Sequence, residues 1–315
     1  MHWLDALLGL RAYGPKMFGH GFGDEVLIAR LAAHDPRGVI PELSLRLHRR
    51  GPGVYESTFT HPRAAEWLPP ASRVAHVRWY VPPRARGVYV HLASTGDEGW
   101  ERRVPVVELA RAHGLAAMVL ENPYYGRRRA IGQRSSDLDT VSDQLAMSSA
   151  TVQEARALLA WAARSFGAHI GVTGFSMGGS VAALTATTWA TPLAIVPVAN
   201  GHAAETVFCD GTLSKFIDFG KLDRTRLRAE LIRGDFERLP APPAGSICEL
   251  VAARDDGYVP RWSVERLAET WSSRGVSVRT QWLRGGHATL LFTGRTRVAT
   301  ALARALRSHA TPTSI

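Results

Sequence analysis

Three stretches of this chain are apolar almost without interruption: Leu115–Leu120, Leu193–Ala199 and Ile247–Ala253. Short runs of this kind predict strands buried on both faces, as in a parallel sheet covered by helices. Ile170-Gly171-Val172-Thr173 suits a fourth such strand, and Val276–Trp282 a last one. Earlier in the chain, the segments 43–48, 54–60, 73–81 and 87–92 alternate apolar and polar residues between turn residues, predicting the first strands. From Thr140 to Phe166 the spacing turns helical, with Val152, Ala155, Leu158, Leu159 and Ala162 on one face. Strands and helices in alternation predict an α/β fold with a mostly parallel, doubly wound sheet.

Two regions depart from that rhythm. Residues 1–42 carry Trp3, Leu4, Leu7 and Leu8, then Val26, Leu27 and Leu31, at helical spacing, and read as an N-terminal helical extension. The Gly19–Gly23 stretch that interrupts them is too irregular for a dinucleotide fingerprint. Residues 200–245 mix aromatics, Asp and Arg and end in Leu239-Pro240-Ala241-Pro242-Pro243, a stiff return to the core. Both belong to one domain spanning 1–315, since 315 residues at 45% hydrophobic suffice for a single sizeable core.

The strand at Ile170–Thr173 runs into Gly174-Phe175-Ser176-Met177-Gly178, and Gly179-Ser180-Val181-Ala182-Ala183-Leu184 continues as a helix. A serine between glycines at a strand-to-helix turn matches the nucleophile elbow, where a strained backbone lifts the hydroxyl above the sheet. The five-residue pattern by itself is unspecific, so chain order must support it. Such a site needs an acid and then a histidine downstream. His202, His287 and His309 follow Ser176. His309 lies in a polar tail expected to fray, and His202 reads as a structural or pocket-lining residue. His287 sits in the Gly-rich loop Gly285-Gly286-His287 after the last strand, the position of the base. The acid loop is Arg254-Asp255-Asp256-Gly257-Tyr258-Val259-Pro260, and the hydrolase arrangement ahead of Val-Pro favours Asp256 over Asp255.

Each residue then has a role. Ser176 is the nucleophile and needs His287 to take its proton, while Asp256 orients the imidazole. The backbone N–H of Met177 is one donor to the tetrahedral oxyanion. The second comes from the loop His91-Leu92-Ala93-Ser94-Thr95-Gly96-Asp97: alignment with the common His-Gly-x loop points to Ala93, with Ser94 next. His91 reads as a brace for that loop. Residues 200–245 fall between the sixth and seventh strands of a hydrolase sheet and read as a small helical lid over Ser176.

Several phrases resemble the alpha/beta-hydrolase-domain-containing type eighteen proteins and their bacterial relatives. His91-Leu92-Ala93-Ser94-Thr95-Gly96-Asp97 resembles the family's His-Leu-Ala-Gly-Thr-Gly-Asp, departing at Ser94. Leu120-Glu121-Asn122-Pro123-Tyr124-Tyr125-Gly126, Val141-Ser142-Asp143 and Ser176-Met177-Gly178-Gly179 match it. So do Val207-Phe208 through Gly211-Thr212-Leu213-Ser214-Lys215 and the Asp255–Pro260 phrase. The likeness covers nearly the whole chain, fading before about Gly51. It implies the alpha/beta-hydrolase fold and a serine hydrolase, without a defined substrate.

Composition narrows the rest. Cys209 and Cys248 are too few for a disulfide framework and show no metal-ligand spacing, so neither metal nor cofactor is expected. The first residues lack a signal-peptide pattern and no run reaches a spanning length, so the expectation is a cytoplasmic protein, with peripheral membrane contact left open. The net charge of +10 is carried by scattered arginines, with Lys16, Lys215 and Lys221 as the lysines. Scatter without a basic stripe argues against nucleic acid. One cluster, Arg127-Arg128-Arg129, leaves the Leu115–Leu120 strand at the ligand-binding edge of the sheet, beside Tyr124 and Tyr125. Arg127, the two tyrosines and Ser94 are therefore candidate substrate contacts, with Arg127 reading an anionic group. The resulting expectation is cleavage of a carboxylic, lipid or other acyl ester through an acyl-enzyme. Amide hydrolysis by the same residues, and a non-catalytic binding protein on this fold, remain open.

Overall fold

The computed structural model of the protein describes Asp5 and residues 17–133, 136–167 and 169–310. Among the described residues, nine strands form its sheet: β1 (His48–Gly51), β2 (Val54–Thr60), β3 (Val74–Tyr80), β4 (Gly87–Leu92), β5 (Leu115–Leu120), β6 (Ile170–Phe175), β7 (Ala194–Val198), β8 (Ile247–Ala253) and β9 (Ser277–Leu283). They lie in the order β1-β2-β3-β5-β4-β6-β7-β8-β9. The first three strands and the β3–β5 pair are antiparallel, and every pairing from β5 through β4 to β9 is parallel. The helices are α1 (Glu25–Ala33), α2 (Pro62–Trp67), α3 (Val104–Ala112), α4 (Val141–Phe166), α5 (Met177–Thr187), α6 (Arg224–Leu231), α7 (Arg261–Ser272), α8 (His287–Thr293) and α9 (Arg295–Ala310).

The unbroken apolar runs are explained by covering on both faces; all six residues of β5 are buried. On one face, Leu92, Met118 and Val172 cluster with Leu158 and Leu159 of α4, Ala182 of α5 and Trp271 of α7. On the other, Tyr89 and Val196 cluster with Ala110 of α3 and Leu302 and Leu306 of α9. The Tyr89 hydroxyl donates to the Leu302 carbonyl at 2.8 Å, so its polar end is satisfied inside the layer. Each fully buried aliphatic side chain contributes about 1.5–3 kcal/mol, and these two layers hold the strand ends in place.

The 43–48 segment is not a strand. It is irregular up to Leu47, and pairing starts at His48. Leu43 and Leu45 pack against the edge of the core, which produces the alternation without a partner strand. The tight reversal through Gly53 (φ 65°) then leaves only a short hairpin arm opposite β2. At the other end, α9 continues through His309 rather than fraying there, while 311–315 lie outside the described residues.

Between β7 and β8 the chain makes short turns of helix at Thr206–Asp210, Thr212–Phe216 and Ile232–Gly234 around α6. Leu227 and Leu231 of α6 and Ile217 pack with Phe18 and with Val141 at the start of α4. Of residues 1–42, the helix observed is α1; except for Asp5, the earlier apolar stretch to Lys16 lies outside the described residues. Among the described residues, no helix is long and apolar enough to cross a membrane.

Candidate active site

Ser176 joins β6 to α5 with φ 55° and ψ −120°, a conformation that is strained for a residue bearing Cβ. Its N–H donates to the Val198 carbonyl at 2.8 Å, which pins the turn to the neighbouring strand. The flanking glycines are required by close approach. A Cβ on Gly174 would run into the Gly178 backbone, and one on Gly178 would stand 2.5 Å from the Leu92 carbonyl oxygen. Met177 is the first residue of α5, so its N–H is among the helix donors that have no partner within the helix.

His287 opens α8, directly after β9. Its Nδ1 lies 2.8 Å from Asp256 Oδ2, on the loop after β8. The other oxygen, Oδ1, accepts from the N–H groups of Tyr258 at 2.8 Å and Val259 at 2.9 Å. A carboxylate so held can only accept, so Nδ1 carries the hydrogen and Nε2 is left able to take a proton. Asp255 is exposed and meets the His287 loop only through its N–H to the Gly285 carbonyl. The structure thus brings Asp256, not its neighbour, against His287. Rings of Phe175 and Tyr258 flank the imidazole, each centroid 4.9 Å away.

Burial disfavours the imidazolium form of His287, but the charge and hydrogen bond of Asp256, joined by the charge of Asp5, outweigh it and raise the pKa above the ordinary histidine value. The proton therefore leaves at higher pH than from a free histidine. The acidic limb of a kcat/KM–pH profile is expected above the usual histidine pKa, with activity gained as pH rises through it. Profiles measured with a neutral ester check this; a limb below the free-histidine value would contradict it.

Ser176 and His287 line one cavity of about 650 Å³. Its walls include Leu31 of α1, Val152 of α4, Leu184 of α5, and Phe208, Leu213 and Leu231 from the β7–β8 excursion. Met177, Ser94 and Thr95 also line it, and Ala93 is buried next to Ser94. His91 is buried and pushed down to about 3 by desolvation and by the nearby Arg103, so it is neutral. Its carbonyl accepts from Arg103 at 2.9 Å, which ties the loop to the start of α3.

Arg127, Tyr124 and Tyr125 are not brought to the cavity wall. Arg127 is exposed and stacks over Trp100, 4.2 Å from the ring centroid. The Tyr124 hydroxyl donates to Asp143 at 3.0 Å, and Tyr125 points its hydroxyl toward Met177 Sδ at 4.0 Å. Arg129 pairs with Glu98 at 2.5 Å. Arg128 is fully buried in a two-pronged pair with Glu154 of α4, at 2.5 and 2.8 Å, and also donates to the carbonyls of Ser72 and Glu121. The cluster is spent on fixing its loop to α4 and the sheet. Glu154→Gln, which leaves a buried guanidinium uncompensated, is expected to cost about 3–5 kcal/mol in denaturant unfolding. Arg127→Gln is expected to change stability by less than about 0.5 kcal/mol. Equal midpoints for the two variants would contradict this division of roles.

His202 is away from the cavity wall, its Nδ1 2.9 Å from the Ser263 hydroxyl. Among the described residues, His202, Asp235 and Glu237 bring ligand-type atoms within 4.8 Å of one another. These groups are already engaged: Glu237 pairs with Arg266 at 2.7 Å, and Asp235 accepts from the Glu237 N–H. The residue that sequence reading missed is Asp5, whose buried carboxylate accepts from the His287 N–H at 3.0 Å. The one available signal was a lone carboxylate inside the apolar Trp3-Leu4-Asp5-Ala6-Leu7-Leu8 run.

The family model for alpha/beta hydrolase domain containing 18 matches residues 29–232 and 223–308. The chain belongs to this family. Solved structures share its fold at low identity. An esterase from an Arctic intertidal metagenomic library is 17% identical with a TM-score of 0.51, over 84% of this chain and 100% of its own. The S-formylglutathione hydrolase of Agrobacterium tumefaciens is 16% identical with a TM-score of 0.54, over 85% and 99%. Est1E of Butyrivibrio proteoclasticus, solved with ferulic acid, is 15% identical with a TM-score of 0.56, over 74% and 96%. The sheet order, the crossing helices and these neighbours together identify an α/β-hydrolase fold for this family member.

Proposed function

We propose that the protein is a serine hydrolase that cleaves carboxylic esters of apolar acyl groups through an acyl-enzyme. One observation carries the reading: a serine on a strained strand-to-helix turn shares a cavity with a histidine whose Nδ1 is bonded to a buried carboxylate. The Ser176 hydroxyl attacks the acyl carbon while His287 Nε2 takes its proton, and Asp256 stabilises the imidazolium. Negative charge then develops on the carbonyl oxygen, and in this reading the N–H of Met177 and that of Ala93, or of Ser94 beside it, receive it; each such donor supplies about 3–4 kcal/mol. Collapse expels the alcohol, which takes the proton from His287. Water repeats the sequence and frees the acid.

The mainly apolar walls fit an acyl chain better than a polar acid, and the volume lies within the range of small-molecule sites. Residues 200–245 act as a lid in this reading, because Phe208 and Leu213 cover the cavity from outside the sheet. The esterase and S-formylglutathione hydrolase neighbours support the class of chemistry by fold alone. The test is a fluorophosphonate probe on the purified protein with peptide mapping of the adduct. Stoichiometric modification at Ser176 is expected; no adduct, or an adduct on another residue, would remove the proposal.

A further inference from the structure

Asp5 is completely buried, and its carboxylate touches both loops that carry the histidine and the acid. Oδ2 accepts from the N–H of Gly257 at 3.0 Å and from the N–H of His287 at 3.0 Å. Oδ1 accepts from the N–H of Ala288 at 2.9 Å. Its own carbonyl accepts from the Tyr258 hydroxyl at 2.8 Å, and the Tyr258 ring lies against His287. Gly257 is the residue after Asp256. One residue, far away in sequence, therefore links the acid loop and the base through its carboxylate, and the aromatic ring that packs on the base through its backbone carbonyl.

A structural tie alone would need only an acceptor. A carboxylate adds a second negative charge beside an imidazole that must become positive during attack, and burial leaves that charge weakly screened. The groups facing His287 divide clearly. Asp256 comes from the β8–α7 loop, Asp5 from the N-terminal segment, and Tyr258 and Phe175 present rings. Arg254, Asp255 and Arg284 on the adjoining loops are exposed, and Arg295 reaches the cavity from α9. Asp5 is thus the second buried carboxylate at the base.

We infer that Asp5 is a positioning residue for the proposed hydrolytic site, locking the His287 and Asp256 loops together and stabilising the imidazolium from behind. The inference rests on the serine-hydrolase reading for its effect on turnover, but not for its effect on His287. Asn at position 5 offers a single acceptor oxygen, so at least one of the three N–H groups faces an amide N–H₂ instead. The His287 backbone then shifts and the charge is gone.

The experiment compares wild type, Asp5→Asn and Asp5→Glu by steady-state kinetics on a neutral ester, thermal melting and NMR titration of the His287 ring. Asp5→Asn is expected to lose roughly a hundred-fold in kcat with KM nearly unchanged, as for a base misplaced by about an ångström. Asp5 favours the charged ring, so its removal moves the His287 titration midpoint to lower pH. Asp5→Glu keeps the charge and is expected to bring the midpoint back toward wild type. Should Asp5→Asn fail to fold, Asp5→Ser, smaller and neutral, carries the same expectation. A folded neutral variant with wild-type kcat and a wild-type His287 midpoint overturns the inference. So does one that only melts earlier, with both values unchanged. The titration needs no turnover, so a wild type unreactive to the fluorophosphonate would remove the hydrolase reading while this result still judges Asp5.

Discussion

Ser176→Ala is expected to lower kcat on an acyl ester by about a million-fold, with the melting temperature little changed. Two features make the variant clean. The serine already bears a Cβ at φ 55°, so alanine takes on no new backbone strain. The turn itself is held by the Ser176 N–H to Val198 and the Ser180 N–H to the Ser176 carbonyl, neither of which uses the hydroxyl. The proposed oxyanion donors and the cavity survive, so a residual rate above the uncatalysed one should persist. Turnover and calorimetry on the same preparation decide the matter. A folded Ser176→Ala enzyme with more than about a thousandth of wild-type kcat would mean that the hydroxyl is not the nucleophile.

Much of this architecture was legible because burial on both faces writes itself into sequence as unbroken apolar runs. Leu115–Leu120, Leu193–Ala199 and Ile247–Ala253 each contain the strand found there. The elbow was legible for a different reason: glycines at 174 and 178 are imposed by backbones that approach too closely for a side chain. Misreadings came where one pattern has two physical causes. Leu43 and Leu45 alternate because an irregular segment drapes across the edge of the core, and alternation cannot distinguish that from pairing.

The site divides along the same line. Ser176, Asp256 and His287 were readable because each follows a recognisable strand on a loop with its own turn chemistry. The arginine cluster was not, because position at the ligand-binding edge says nothing about what a long side chain does next. Arg128 turns inward to a carboxylate supplied by α4, twenty-six positions away, and no local pattern pairs it with Glu154. Asp5 is the extreme case: its three N–H partners lie more than 250 positions along the chain. Loops and helices from distant segments also make the cavity wall, so its apolar character emerges only when the β7–β8 excursion and α1 meet over the sheet.

Asp256→Asn is expected to lower kcat by about ten-thousand-fold, and Asp255→Asn by less than about two-fold. The size of the first effect follows from how the carboxylate is held. Its Oδ1 accepts two backbone N–H groups, from Tyr258 and Val259, so an asparagine would place its amide oxygen there and turn its N–H₂ toward His287. Facing a donor, Nδ1 becomes the acceptor and the hydrogen moves to Nε2. The nitrogen proposed to take the serine proton is then already protonated, although every heavy atom is in place. Asp255 is exposed and contributes through its backbone N–H, which the amide substitution leaves intact. Single-turnover kinetics with both variants, alongside the fluorophosphonate labelling rate, separate the two positions. Comparable losses at 255 and 256 would mean that the loop's shape matters and the carboxylate at 256 does not orient the base.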